Sequence, residues 1–322
     1  MQLDSLLDPV APDMARVNEF LHDAFASSLP LIHSLSDHII GSGGKRLRPA
    51  VLLMSARACG ITGDAHIQLA AAVEIVHTAT LLHDDVVDRS GLRRGRRTAN
   101  AIWGNSASVL VGDFLYSRAT QLILALDRID ILRVLSDASN DIAEGEILQL
   151  SNVQNVALSE AEYLRIIYAK TARLFEASSQ CGALIADAPA ARVADLRDFG
   201  KHLGLAFQLV DDVLDYDGEP ELIGKNLGDD LAEGKLTLPL IRALQQAPST
   251  QAEQLRQAVR AGAVEQLDEV LATIESTGAI AYTAQLAQHH AAQAKALLGR
   301  LPDSSCKAAL GDLLEFAVLR RF

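Results

Sequence analysis

Apolar residues recur at helical spacing along nearly the whole chain, and the alternation expected of strands is almost absent. The segment "SARACGITGDAHIQLAAAVEIVHTATLLHDD" predicts a helix ending at Gly60, a turn through Gly63 and Asp64, and a long apolar helix that runs into an acidic cluster. Pro49 falls in the first turn of an earlier helix, where its missing N–H costs nothing. From Ala107, "ASVLVGDFLYSRATQLILAL" resumes the helical pattern, with Val109, Gly112 and Tyr116 as its expected core stripe. Ser159 stands three residues before Glu162, a capping-box spacing that satisfies two N–H groups at a helix start. Thr250 and Glu253 repeat that spacing at the start of "TQAEQLRQAVRAG", whose expected C-cap is Gly262. No stretch is rich enough in Pro, Gly and Ser to mark a flexible linker. The pattern predicts an all-α fold in a single domain over residues 1–322, with its longest irregular stretch between Tyr216 and Leu238.

Composition says how such a core is filled. Apolar residues make up 49% of the 322 positions and aromatics only 4%, so Leu, Ala, Ile and Val must supply most of the packing. Lys and Arg number 29 against 41 Asp and Glu, and the formal charge of -12 argues against a general nucleic-acid surface. A few local arginines still allow an anionic substrate. Cys59, Cys181 and Cys306 lie far apart and form no CxxC; a reducing cytoplasm is expected, with Cys59 and Cys181 as core residues. The acidic opening "MQLDSLLDPVAPD" is unlike the basic start of a secretory leader. The most apolar run, Leu69 to Leu82, is interrupted by Glu74 and His77, so no membrane span is expected.

Charge clustering carries the chemistry. In "LLHDDVVDRSGLRRG", from Leu81 to Gly95, Asp84 and Asp88 lie one helical turn apart on one face and Asp85 is turned away from them. Such a pair repels itself, so a neutralising partner is expected. "FQLVDDVLDYDG" repeats the DDxxD spacing with Asp211, Asp212 and Asp215, again at the end of an apolar helix running from Phe199. Two copies suggest opposed helices whose carboxylates face a shared cavity. Oxygen-only ligands favour Mg²⁺, a hard ion that bridges carboxylates to substrate phosphates. "GSGGKRLRP" presents Lys45, Arg46 and Arg48 after a glycine-rich turn, without the "GxxxxGK[ST]" of a nucleotide loop. Arg93 and Arg94 follow the first acidic cluster, and their guanidinium forks suit diphosphate oxygens. Lys170, Thr171, Lys225 and Lys235 are further candidates.

The series "GGKRLRP", "EIVHTATLLHDDVVDRSGLRRG", "YAKTARLF", "GLAFQLVDDVLDY" and "GKNLGDDLAEGKLTLP" resembles, in order from Ile39 to Pro239, the motifs of the trans-isoprenyl diphosphate synthases. The resemblance implies an orthogonal helical bundle of the isoprenoid synthase type, assembled as a homodimer. It implies a prenyltransferase that extends an allylic diphosphate with isopentenyl diphosphate, using three Mg²⁺ per active site. By resemblance, Asp84, Asp88, Asp211, Asp212 and Asp215 hold the metal, with Asp85 among the catalytic carboxylates. Arg93, Lys170, Thr171, Gln208, Lys225 and Lys235 take the allylic diphosphate; Lys45, Arg48, His77 and Arg94 take isopentenyl diphosphate. Val76, Ala79 and Thr80, in the two turns before Asp84, include no aromatic floor, which resembles the makers of long products such as the octaprenyl and nonaprenyl chains of respiratory quinones. A product so lipophilic implies transient contact with a membrane surface.

Other readings explain less. A metal phosphohydrolase of the HD type would use "LLHDD" and His77, but needs several converging imidazoles and leaves the second DDxxD unused. A terpene cyclase on the same helical plan would need more aromatics around its cations. A non-catalytic helical partner protein would have no use for the paired motifs. His83 is expected to be structural, and His289 and His290 to sit on an exposed Ala-rich helix without a metal.

Overall fold

A helix that is apolar on every side must be enclosed, and Ala65–Val87 is: Ile67, Leu69, Ala70, Ala71, Ala72, Val73 and Ile75 have no exposed surface. It is long and apolar enough to cross a membrane by length and composition, but 72% of its most apolar window is buried inside the protein, as in a core helix. The computed structural model describes residues 3–25, 27–41, 44–93, 95–218 and 227–319. Within them the fold is all-α; the only strands are Leu92–Arg93 and Arg96–Arg97, an antiparallel ribbon pairing Leu92 with Arg97.

The chain forms two compact units. The first comprises Met1–Ser139, Leu174–Gly200 and Leu297–Leu313. In it Ala65–Val87 packs against Leu47–Ala58, Ala11–Ala24 and Asn105–Leu124. Gly60, in the left-handed region at φ 83°, follows the end of Leu47–Ala58, and Pro49 stands in that helix's first turn. The expected stripe on Asn105–Leu124 is corrected: Val109 and Tyr116 are 37% and 43% exposed, whereas Ser108, Val111, Gly112, Leu115, Ala119 and Ile123 are buried. This helix is apolar on more than one face. The face turned inward is the one where Gly112 leaves room for the ring of His83; a β-carbon there would lie 2.3 Å from Nε2. Cys181 is fully buried, as expected, whereas Cys59 is only half-buried, and burial pushes its thiol up despite Arg192 nearby.

The second unit comprises Asn140–Arg173, Lys201–Ala296 and Leu314–Phe322. Its core is built from Tyr163, Leu209, Tyr216, Leu231, Leu238, Leu240 and Val259, joined by Ala279 and Ala287. The capping box at Ser159 is formed in both directions, Glu162 N–H to Ser159 Oγ at 3.3 Å and Ser159 N–H to Glu162 Oε2 at 3.0 Å. The expected box at Thr250 is not formed. Helix Ser249–Ala261 begins two residues earlier than that box requires, after Pro248, so Thr250 is already inside its first turn and Glu253 pairs with Arg256 at 3.2 Å. Gly262 caps that helix with φ 59°. The stretch from Tyr216 to Leu238 contains the short helix Asp229–Ala232, and residues 219–226 within it lie outside the described ones. His289 is exposed, but His290 is half-buried and shares a hydrogen bond with His202, Nδ1 to Nδ1 at 2.9 Å.

Candidate active site

The first aspartate triplet closes the Ala65–Val87 helix, and Asp88 is its C-cap, its N–H donating to Asp84 O at 2.8 Å. Carboxylates at a helix C-terminus face the negative end of the dipole, so they need counter-charge. Asp84 and Asp88 are half-buried, whereas Asp85 is only 4% exposed. Arg93, on the ribbon, supplies the counter-charge to Asp85 through Nε and Nη2, both at 2.8 Å. Burial raises the Asp85 carboxyl above its ordinary value, and Arg93 offsets that only in part. The main-chain carbonyl of Asp85 accepts from Asn100 Nδ2 at 3.0 Å, which ties the ribbon's far side back to the helix end. Arg94 lies outside the described residues.

Beside this helix end is a cavity of about 660 Å³, including its open mouth, lined by His38, Arg46, Glu74, His77, Thr78, Leu81, Asp85, Arg93, Arg96 and Arg97, among others. Lys45 is exposed. Arg48 Nη1 lies 3.1 Å from His77 Nε2, and the Arg48 guanidinium stacks 4.5 Å above the centre of the Phe175 ring. Lys45, Arg48 and His77 therefore come to the start of one helix and the flank of another, as adjoining elements of the first unit. Val76 and Ala79 are buried, and Thr80 is half-buried with its hydroxyl on His77 O at 2.8 Å; none of the three lines this cavity. His83 turns the other way, toward Val109 O at 3.2 Å and Asp113 at 3.3 Å.

The second triplet occupies the last two turns of Ala190–Asp217. Asp211 and Asp215 are half-buried and Asp212 is 2% exposed, so burial follows the same order as in the first triplet. The Tyr163 hydroxyl donates to Asp212 Oδ2, and Gln208 Nε2 donates to Oδ1 at 2.9 Å. Thr171 Oγ1 donates to Gln208 Oε1 at 2.9 Å, completing a chain of hydrogen bonds into the carboxylate. Thr171 and Lys170 lie in a π-helical turn, Tyr168–Ala172, a widened geometry that recurs at functional sites. Gly145 lets the neighbouring helix approach this turn; a β-carbon there would stand 2.9 Å from the Lys170 nitrogen. Lys170 Nζ is held by Glu146 at 2.8 Å and Gln149 at 2.7 Å. Asp215 Oδ2 accepts the Asp230 N–H at 3.2 Å, and Lys235 pairs with Glu233 at 2.5 Å. Burial pushes the Tyr216 phenol well above its ordinary value, with Asp230 and Asp215 adding to the shift. Lys225 lies outside the described residues.

Sequence reasoning missed Tyr163, Glu146 and Gln149 as partners of these groups. Their signal is tertiary: Tyr163 meets a residue 49 positions away, and Glu146 one 24 positions away. Each triplet offers oxygen donors only. Among the described residues no three His, Cys, Asp or Glu side chains make a complete cage by themselves, and the half-buried members of each triplet suit a hard cation that takes its remaining ligands from phosphate and water.

Residues 29–275 match the polyprenyl synthetase family. The octaprenyl diphosphate synthase of Escherichia coli (strain K12) is 47% identical over 321 residues, covering 99% of each chain. The all-trans-nonaprenyl-diphosphate synthase (geranyl-diphosphate specific) of Rhodobacter capsulatus is 45% identical, covering 98% of this chain and 97% of its own. Among solved structures, the polyprenyl synthase from Caulobacter crescentus CB15 complexed with calcium and isoprenyl diphosphate superposes with a TM-score of 0.96 at 46% identity, covering 100% of this chain and 98% of its own. With the ordered motifs in place and the likeness spanning the full length, the chain belongs to the polyprenyl synthetase family.

Proposed function

We propose that this trans-prenyltransferase extends farnesyl diphosphate with successive units of isopentenyl diphosphate to an all-trans octaprenyl diphosphate, with nonaprenyl diphosphate the neighbouring product, for respiratory quinone side chains. The observation that supports it most is a repeated device: an aspartate triplet at the C-terminal end of a helix, with its second member buried and fixed by hydrogen bonds. Asp85 is fixed by Arg93, and Asp212 by Tyr163 and Gln208. In this reading the more exposed members, Asp84, Asp88, Asp211 and Asp215, take up Mg²⁺ with Asp212 behind them, three ions being bound with substrate. Bound Mg²⁺ supplies Lewis-acid stabilisation of the charge growing on the departing diphosphate.

The chain's own groups do the rest. Arg93, Lys170, Lys225 and Lys235 donate to the allylic diphosphate, and Thr171 and Gln208 orient it. Lys45, Arg48, His77 and Arg94 hold isopentenyl diphosphate, whose double bond attacks the allylic carbocation once the carbon–oxygen bond has broken. The proton lost from the new chain passes to the departing diphosphate. Apolar helix interiors keep water from capturing the cation. Two copies associate through the apolar outer face of Asn105–Leu124. The enzyme works in the cytoplasm and touches a membrane surface transiently to release its product.

Incubation with Mg²⁺, farnesyl diphosphate and radiolabelled isopentenyl diphosphate, followed by mass analysis of the dephosphorylated products, tests this. An octaprenyl alcohol is expected. No extension would overturn the reaction, and products of geranylgeranyl length would overturn the long-chain assignment.

A further inference from the structure

The cavity beside the first triplet sets Arg46, Arg93, Arg96 and Arg97 in its wall together with two carboxylates, Asp85 and Glu74. Asp85 belongs to the aspartate triplet. Glu74 stands at the head of the motif that carries His77 and the first aspartates but has no role assigned to it, and it is the more informative of the two.

Its partner is Arg46, Nη1 to Oε1 at 2.9 Å, with 18% of the arginine side chain and 8% of the glutamate exposed. Arg46 is held at φ 47° and ψ 36°, a left-handed conformation in which residues with a β-carbon are disfavoured and glycine is the usual occupant. It is also the residue at which helix Leu47–Ala58 begins, without a side-chain cap. A long, charged side chain at such a corner needs a reason to be there, and the ion pair supplies one.

The corner lies between two groups assigned to isopentenyl diphosphate. Lys45 precedes Arg46 directly and Arg48 follows two residues later, while His77 follows Glu74 by three residues on Ala65–Val87. The two helices are thus joined by two rungs, Arg46 to Glu74 at 2.9 Å and Arg48 to His77 at 3.1 Å. We propose that Glu74 and Arg46 are positioning residues, whose ion pair fixes the left-handed corner so that Lys45 and Arg48 converge with His77 on one diphosphate. This rests on the reading of Lys45, Arg48 and His77 given under Proposed function. Arg46 is then a strut, its charge matched to Glu74, and the basic groups on either side of it meet the ligand.

The sign of one substitution separates this role from simple electrostatics. Glu74→Gln removes a negative charge from the wall of an anion site, so charge alone predicts a lower KM for isopentenyl diphosphate. Positioning predicts the opposite: a KM raised about tenfold, the cost typical of a lost orienting partner, with kcat and the KM for farnesyl diphosphate changed less than about twofold. Arg46→Gly keeps the left-handed corner comfortable and removes the strut, and it should raise the same KM by a similar factor. The double variant should be no worse than either single one, because the two changes break one interaction. Initial rates with radiolabelled isopentenyl diphosphate measure all of these, and far-ultraviolet circular dichroism checks folding. If Glu74→Gln does not fold, Glu74→Asp takes its place: it keeps the charge and shortens the strut, so charge alone predicts no change in this KM and positioning predicts a rise. A KM that falls or stays unchanged in the folded variants overturns the proposal. Lys45→Ala and Arg48→Ala test the site itself: if both leave this KM unchanged, the site assignment fails and the strut with it. If they raise it while Glu74→Gln does not, only the strut fails.

Discussion

Asp85 and Asp212 hold the same place in their triplets and share one environment, buried and hydrogen-bonded, while the other members are half-buried. That division argues for different consequences on substitution. Asp84→Ala and Asp211→Ala remove half-buried carboxylates near the C-terminal ends of their helices, so helicity should persist while turnover falls about a hundredfold or more, the usual cost of a lost transition-state electrostatic partner. A variant that keeps a tenth of the activity at saturating Mg²⁺ would remove that residue from the metal site. The spacing of the triplets was legible in the sequence because it lies within a few residues. Tyr163 and Gln208 as joint anchors of Asp212 were not, since nothing local at Tyr163 points to a carboxylate on another helix. Ala79 tests the product assignment: Ala79→Tyr should stop the product at geranylgeranyl length, one fast condensation beyond the farnesyl primer, because a ring there obstructs an apolar path without touching the aspartates. An unchanged product by mass analysis would show that Ala79 does not line that path.

Between elements, two close approaches invite measurement. Gly200 lets its helix settle against the Phe175 carbonyl; a β-carbon there would lie 2.4 Å from that oxygen, and neither backbone can rotate away. Gly200→Ala should cost about 1–3 kcal/mol in chemical denaturation, as overpacking does. The second is the pair His202 and His290, which joins Ala190–Asp217 to Ala279–Leu298 at 2.9 Å. Burial, with His202, His289 and Lys201 as like-charged neighbours, lowers His290 from 6.5 to about 4. The unfolded chain therefore binds a proton there that the folded one refuses, and stability falls as pH drops from 6.5 to about 4, then levels. His290→Gln should flatten that part of the pH–stability curve relative to the parent; parallel curves would refute the coupling. Helix periodicity made most elements legible in the sequence, and so did the capping box at Ser159, whose signal is local. The stripe on Asn105–Leu124 was misread because that helix has apolar residues all round, and periodicity cannot choose among faces. Thr250 failed for another reason: Pro248 had already started the helix, so a capping spacing was present without a cap.

For the whole molecule, a net charge of -12 coexists with Val109, Leu110, Tyr116 and Leu124 exposed on one helix, Leu110 at 67%. Such a face is expected between two copies of the chain. Light scattering should give about twice the 34.5 kDa of one chain, and Leu110→Glu should shift the population toward monomer. A parent protein that scatters as a monomer at micromolar concentration would remove the dimer from the proposal. A different experiment is open because aromatic residues are so scarce. Trp103 is the sole tryptophan, and its ring stands edge-on to His38, centroids 5.3 Å apart. His38 in turn bonds to the Arg97 carbonyl, and both residues line the cavity beside the first aspartate triplet. Indole emission responds to the polarity and protonation of whatever touches it. The native protein thus carries one indole a single side chain away from the pocket wall, and ligand entry there can be followed by tryptophan-selective excitation without a label or an added probe.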